Sequence, residues 1–137
     1  MAKRWLYLML IVALLVTLCG CDDRAQKEDI FAFVRTNEAA LLCAVEKGDF
    51  SDFEGQSVVK DTYANERCVD FYCGGAGFGA DTWYVGFFYT PNHDLGAMGY
   101  DATLLVPSGA GYEHQWSDNR YYVEHICGSF YYYEASY

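Results

Sequence analysis

Four acidic residues set among aromatic ones are the first candidates for chemistry: Asp70, Glu113, Glu124 and Glu134. Two carboxylates flanking a bond beside stacking rings form the arrangement that cleaves sugars, one protonating the leaving oxygen and the other attacking or activating water. The same acids have a plainer use, solvating strand faces and blunting sheet edges against aggregation. His114 and His125 form a second constellation. If Asp118-Asn119 makes a two-residue turn, position 114 pairs with 123 and 112 with 125, so both imidazoles share a face with Tyr112, Trp116, Tyr121 and Val123. A metal would need a third ligand, from His93 or a cysteine, and nothing local supplies one; no metal or other cofactor is expected. The glycine-rich segment from Cys73 to Gly79 looks like a phosphate cradle but lacks the Gly-Lys-Ser/Thr ending. A strand pattern begins at Thr82 where a helix would be needed, so the segment reads as a connection. The serines carry no nucleophile-elbow motif.

The elements that would carry these residues follow from hydrophobic periodicity. From Lys27 to Lys47, Ile30, Phe33, Val34, Leu41, Ala44 and Val45 recur at helical steps, and Gly48 follows as the preferred C-terminal breaker. After Gly48 the period changes to short runs rich in Val, Tyr, Phe and Trp: 56–63, 66–73, 82–90, 98–106, 112–116, 121–126 and 130–136. Turn residues separate them, among them the stretches 74–81, 91–94 and 107–111. The expected fold is α+β, one N-terminal amphipathic helix on an antiparallel, curled sheet of five to seven short strands.

Several strands are apolar on both faces. Trp83, Val85, Phe87 and Tyr89 point one way and Tyr84, Gly86 and Phe88 the other; in the last run Tyr131, Tyr133 and Tyr137 oppose Phe130 and Tyr132. One helix covers one face, so the other must curl upon itself or stay partly open as an aromatic platform. Tyrosine suits a platform, because its ring gives contact area while its hydroxyl tolerates water. Tyr72, Tyr84, Phe88, Tyr122 and Tyr132 are the candidate binding residues.

The chain of 137 residues has the length of a single domain, and 18% aromatic content with thirteen tyrosines argues against disorder. A net charge of −10 excludes a nucleic-acid binder, which needs a basic footprint. The first residues carry a further signal: Lys3 and Arg4 precede an uncharged apolar stretch, Trp5 to Leu18, that is too short for a spanning helix and matches a secretory signal. The junction Leu18-Cys19-Gly20-Cys21 resembles the lipobox of bacterial lipoproteins, with Leu18 and Gly20 in the expected places before Cys21. The resemblance covers about the first 23 residues and implies removal of residues 1–20 and a diacylglyceryl group on Cys21, followed by a short tether over 21–26 and one domain over 27–137. Two acyl chains make a durable anchor where one would be reversible. The mature chain would lose Lys3 and Arg4 but no acid, leaving 117 residues with a net charge of −12.

Cys43, Cys68, Cys73 and Cys127 then remain as disulfide candidates, with three possible pairings. Bonding between Cys68 and Cys73 is disfavoured, because odd separation on one strand sends their side chains to opposite faces. Free buried thiols are the alternative. The functional expectation is a lipid-anchored protein at the cell membrane, facing outside the cytoplasm, that binds a protein or glycan partner through an aromatic sheet face. The alternative is a small envelope-polysaccharide hydrolase using two of the strand acids.

Overall fold

The computed structural model describes residues 25–78 and 81–137, without the Phe78 side chain. The signal-like segment and Cys21 lie outside the described residues. Helix α1 (Lys27–Lys47) carries Glu28 and Asp29 in its first turn and Lys47 in its last, each favourable to the helix dipole. It ends where Gly48 adopts a left-handed φ of 65° and donates its N–H back to Ala44 and Val45. Ile30, Val34, Leu41 and Ala44 form its buried stripe.

Seven strands follow: β1 (Asp61–Ala64), β2 (Val69–Phe78), β3 (Asp81–Tyr89), β4 (Val106–Ser108), β5 (Gly111–Trp116), β6 (Asn119–Cys127) and β7 (Phe130–Ser136). All neighbours are antiparallel, in the order β1-β2-β3-β7-β6-β5-β4, and the sheet is not closed. The protein is therefore α+β. The order also dictates what the second face looks like. After β3, in the middle of the sheet, the chain must reach β4 at the far edge before it can meander back, so residues 90–105 cross one face.

On the helix side, Phe71 and Phe87 stack at 4.6 Å, and Phe130, Tyr132, Val85 and the α1 stripe complete a core. Truncating a buried phenylalanine in such a core to alanine costs about 3–5 kcal/mol. On the opposite side Phe88, Tyr121, Val123, Tyr131, Tyr133 and Ala135 form a second cluster, with Leu95, Ala97, Met98, Tyr100 and Leu105 of the crossing segment laid over it.

This crossing segment departs from the sequence expectation. The run 98–106 was expected to be a strand, but only Val106 belongs to one; Gly99 takes a φ of 96° and Asp101 caps a short 3-10 turn over Ala102–Leu104. Its apolar residues are satisfied by packing down onto the sheet, which periodicity alone does not distinguish from strand pairing. Within 56–63 only Asp61 to Tyr63 belong to a strand, with Gly55 at a φ of 73° in the turns before them. The glycine-rich segment is mostly strand: β2 continues to Phe78, with a bulge between Tyr72 and Gly75 where Gly74 has a φ of 118°. The β5–β6 turn is Ser117-Asp118, with Trp116 opposite Asn119, so His114 faces Tyr121 and not Val123.

Candidate functional site

The crossing segment covers the second face over β6 and β7 but leaves it uncovered toward β1 and β2. There a chamber of about 310 Å³ remains, lined by Tyr63, Tyr72, Tyr84, Tyr100, Tyr133 and Tyr137 with Asp70, Met98 and Ala135. Its size falls at the lower end of small-molecule sites. Register explains how strands from both halves of the sheet supply it. Asp70 pairs with Phe88, Tyr72 with Gly86, and Gly86 in turn with Tyr133, so all these side chains rise from one face.

Gly86 is what allows β7 to reach β2. A Cβ at this position would stand 2.8 Å from the Tyr133 ring and 2.5 Å from the Phe71 carbonyl oxygen. With only hydrogen there, the Tyr133 ring lies across β3 and its hydroxyl donates to the Asp70 carboxylate. Asp70 Oδ1 is shut off from solvent and has no hydrogen-bond partner among the described residues. Burial pushes the Asp70 carboxyl up to about 7; the Tyr133 hydrogen bond works against that rise and the charge of Asp61 adds to it. Burial likewise raises the Tyr133 and Tyr100 hydroxyls, which stay protonated throughout the neutral range.

The outer wall is held from the crossing segment. Tyr100 stacks on Tyr121 with ring centroids 3.7 Å apart and hydrogen-bonds the Tyr137 hydroxyl. Tyr84 lies 6.0 Å from Tyr137 and 6.3 Å from Tyr72, centroid to centroid. At the rim the Tyr63 hydroxyl donates to Asp61 at 2.7 Å and holds that exposed carboxyl below its usual range. Arg67 pins the crossing segment from outside through Asp94 at 2.6 Å.

The other strand acids are elsewhere. Glu113, Glu124 and Glu134 lie on the helix side, where Arg120 binds Glu113 at 3.1 Å and Glu134 at 3.3 Å, while Lys27 and the Tyr122 hydroxyl both donate to Glu124. Burial opposes ionisation of Glu124, yet these hydrogen bonds outweigh it and its carboxyl is lowered. The Lys27 ammonium also sits over the rings of Phe31, Tyr122 and Tyr132. This network fastens the start of α1 to the sheet.

The five aromatic candidates are accordingly divided between the two faces. Tyr72 and Tyr84 line the chamber, and Phe88, fully buried beside them, forms the cluster under the crossing segment. Tyr122 and Tyr132 point to the helix side and are buried there, because alternation along β6 and β7 places them with Glu124 and Glu134. Of the other chamber residues, Tyr133 and Tyr137 read in the sequence only as strand residues sharing a face, and Tyr63 and Tyr100 carry no signal there. Gly86 within an aromatic strand was the available signal, since an interior strand glycine marks a close approach.

The two histidines expected to share a site do not join: His93 and His125 flank Tyr131, while His114 lies apart. His114 stacks on Trp116 at 5.1 Å, His125 contacts the Gly128 carbonyl oxygen at 2.8 Å, and His93 bonds the Tyr131 hydroxyl at 2.7 Å. Among the described residues no group of three His, Cys, Asp or Glu is placed to hold a metal ion. Cys43, Cys68, Cys73 and Cys127 are all free thiols. Cys68 lies in the chamber-side cluster and Cys73 in the helix-side core, as their odd separation requires, while Cys43 is exposed on α1. Among the described residues no helix is long and apolar enough to cross a membrane. Comparisons of the chain with protein-family models, with curated proteins and with solved structures find no match.

Proposed function

We propose that this chain is a membrane-anchored extracytoplasmic lipoprotein whose folded domain is a binding module, with the tyrosine chamber on the uncovered sheet face as its site. The observation that carries the binding reading is the chamber itself. Six tyrosine rings converge on one partly buried carboxyl in a concavity that no other part of the described chain fills. In this reading the sheet curls toward the chamber; the two register shifts, between Tyr72 and Gly75 and between His125 and Cys127, support it because bulges bend strands. The hydrolase alternative is less well supported. Asp70 is the one carboxylate lining the chamber, and Glu113, Glu124 and Glu134 are engaged by Arg120 and Lys27 on the other face.

The anchor rests on the lipobox-like sequence ending at Cys21. Fractionation tests it: Cys21→Ala should move the protein out of the membrane fraction, and an unchanged distribution would overturn the assignment. Binding is tested by titrating the full chain with a panel of small amines, neutral sugars and phenols while following the Met98 methyl resonance, since Met98 lines the chamber. At least one class should shift it, and a panel that leaves it unmoved would overturn the binding reading.

A further inference from the structure

We infer that the chamber takes an organic cation, an alkylammonium group seated against the tyrosine rings with Asp70 as its counter-charge. This deepens the binding reading and rests on it. The charge inventory is one-sided: among the described residues no lysine, arginine or histidine lines the chamber, so none of them neutralises Asp70 there. The carboxylate has also lost hydration, because Oδ1 is sealed from solvent without a hydrogen-bond partner among the described residues. A bound cation restores the missing charge, which a neutral guest cannot do, and an anion would be repelled. The walls point the same way. A ring face carries the negative lobe of the π quadrupole, and the rings of Tyr72, Tyr84 and Tyr137 line the chamber as near neighbours of one another. At the rim, exposed Asp61 adds a permanent negative charge, and the chain as a whole carries −10.

Binding is coupled to a proton. Besides burial, the groups acting on Asp70 are the Tyr133 hydroxyl and Asp61, and the Asp70 charge in turn raises the hydroxyls of Tyr63, Tyr100, Tyr121 and Tyr133 and the thiols of Cys68 and Cys73. Of these only Asp61 is charged near neutrality, and it has the same sign. A cation entering the chamber therefore favours the ionised carboxylate, and the proton leaves Asp70 for solvent.

The test uses the full chain in a polyoxyethylene detergent, with the Met98 methyl as reporter. The probes are tetramethylammonium and butylammonium, with neopentanol and butanol as uncharged counterparts of similar shape. A lysine-containing tripeptide asks whether a protein side chain supplies the ammonium better than a free amine does. Both cations should bind at least tenfold more tightly than their uncharged counterparts, with affinity rising severalfold from pH 6 to pH 8. Asp70→Asn should remove most of that preference. Tyr84→Leu, at an exposed position outside both buried clusters, should weaken the cations severalfold while sparing neopentanol. Equal binding of charged and uncharged probes, or sugars and phenols binding where the cations do not, would overturn the cation assignment and leave the binding reading standing. No response to any probe would overturn both.

Discussion

The Tyr133 ring crosses the bare backbone of Gly86 and donates its hydroxyl to Asp70, joining β7 to β2 over the strand between them. That contact ties the two halves of the sheet together on the chamber side. It also ties the state of the chamber carboxyl to the packing of a neighbouring strand.

Replacing Gly86 with alanine therefore should do more than fill a gap. The new methyl would meet both the Tyr133 ring and the Phe71 carbonyl oxygen, and backbone cannot move aside as a flexible side chain can. The expected cost is about 1–3 kcal/mol, read from the midpoint of urea denaturation. A neutral effect on the midpoint would show that Tyr133 does not lie across β3.

Asp70 makes stability depend on pH in an unusual direction. Its carboxyl is raised in the fold, from an ordinary 3.8 to about 7. The folded state therefore binds the proton more tightly than the unfolded chain, and stability falls as pH rises across that window, by about 1.4 kcal/mol for each pH unit crossed. Asp70→Asn has no proton to lose. Urea midpoints should be similar for variant and parent at pH 4 and increasingly favour the variant up to pH 8; parallel profiles would refute the raised carboxyl.

The Lys27–Glu124 pair behaves in the opposite sense. Glu124 is lowered, so its contribution is present above its ordinary value of 4.5 and is lost as pH falls through the lowered value. Lys27→Met keeps the stem against the rings and removes the charge. The variant should lose about 1 kcal/mol at neutral pH, a modest figure because the pair is partly exposed, and the deficit should shrink on acidification toward pH 3. A deficit independent of pH would mean that packing alone is lost.

Thiol chemistry reports the two cores separately. An aromatic disulfide reagent with peptide mapping should modify exposed Cys43 first and Cys127 more slowly, and should reach Cys68 and Cys73 only on unfolding. Burial raises both of the latter thiols, which removes the reactive thiolate as well as access. Early modification of Cys73 would contradict its place beneath α1.

The helix was legible from sequence to its terminal residues, because its stripe, its charged ends and Gly48 are all local signals. The last strand, Phe130–Ser136, was legible for the same reason. Residues 98–106 were not: Met98 and Tyr100 alternate like a strand but, with Leu105, lie flat on the sheet, and only the strand order explains why the chain passes there. The histidine pairing was shifted because Asp118-Asn119 and Ser117-Asp118 are both plausible turns. The shift by two preserved the face and changed the partner.

The candidate site divides along the same line. Alternation in the sequence determined that both faces of the sheet are apolar and aromatic and that one helix covers only one of them. Which tyrosines share a face with Asp70, and that Glu113, Glu124 and Glu134 do not, was decided by tertiary structure. Those relations depend on pairing β3 with β7 across a separation of more than forty residues. Local propensity carries no information about such a pairing; it is settled by the packing of Tyr133 over Gly86 and by the long crossing that brings β7 home.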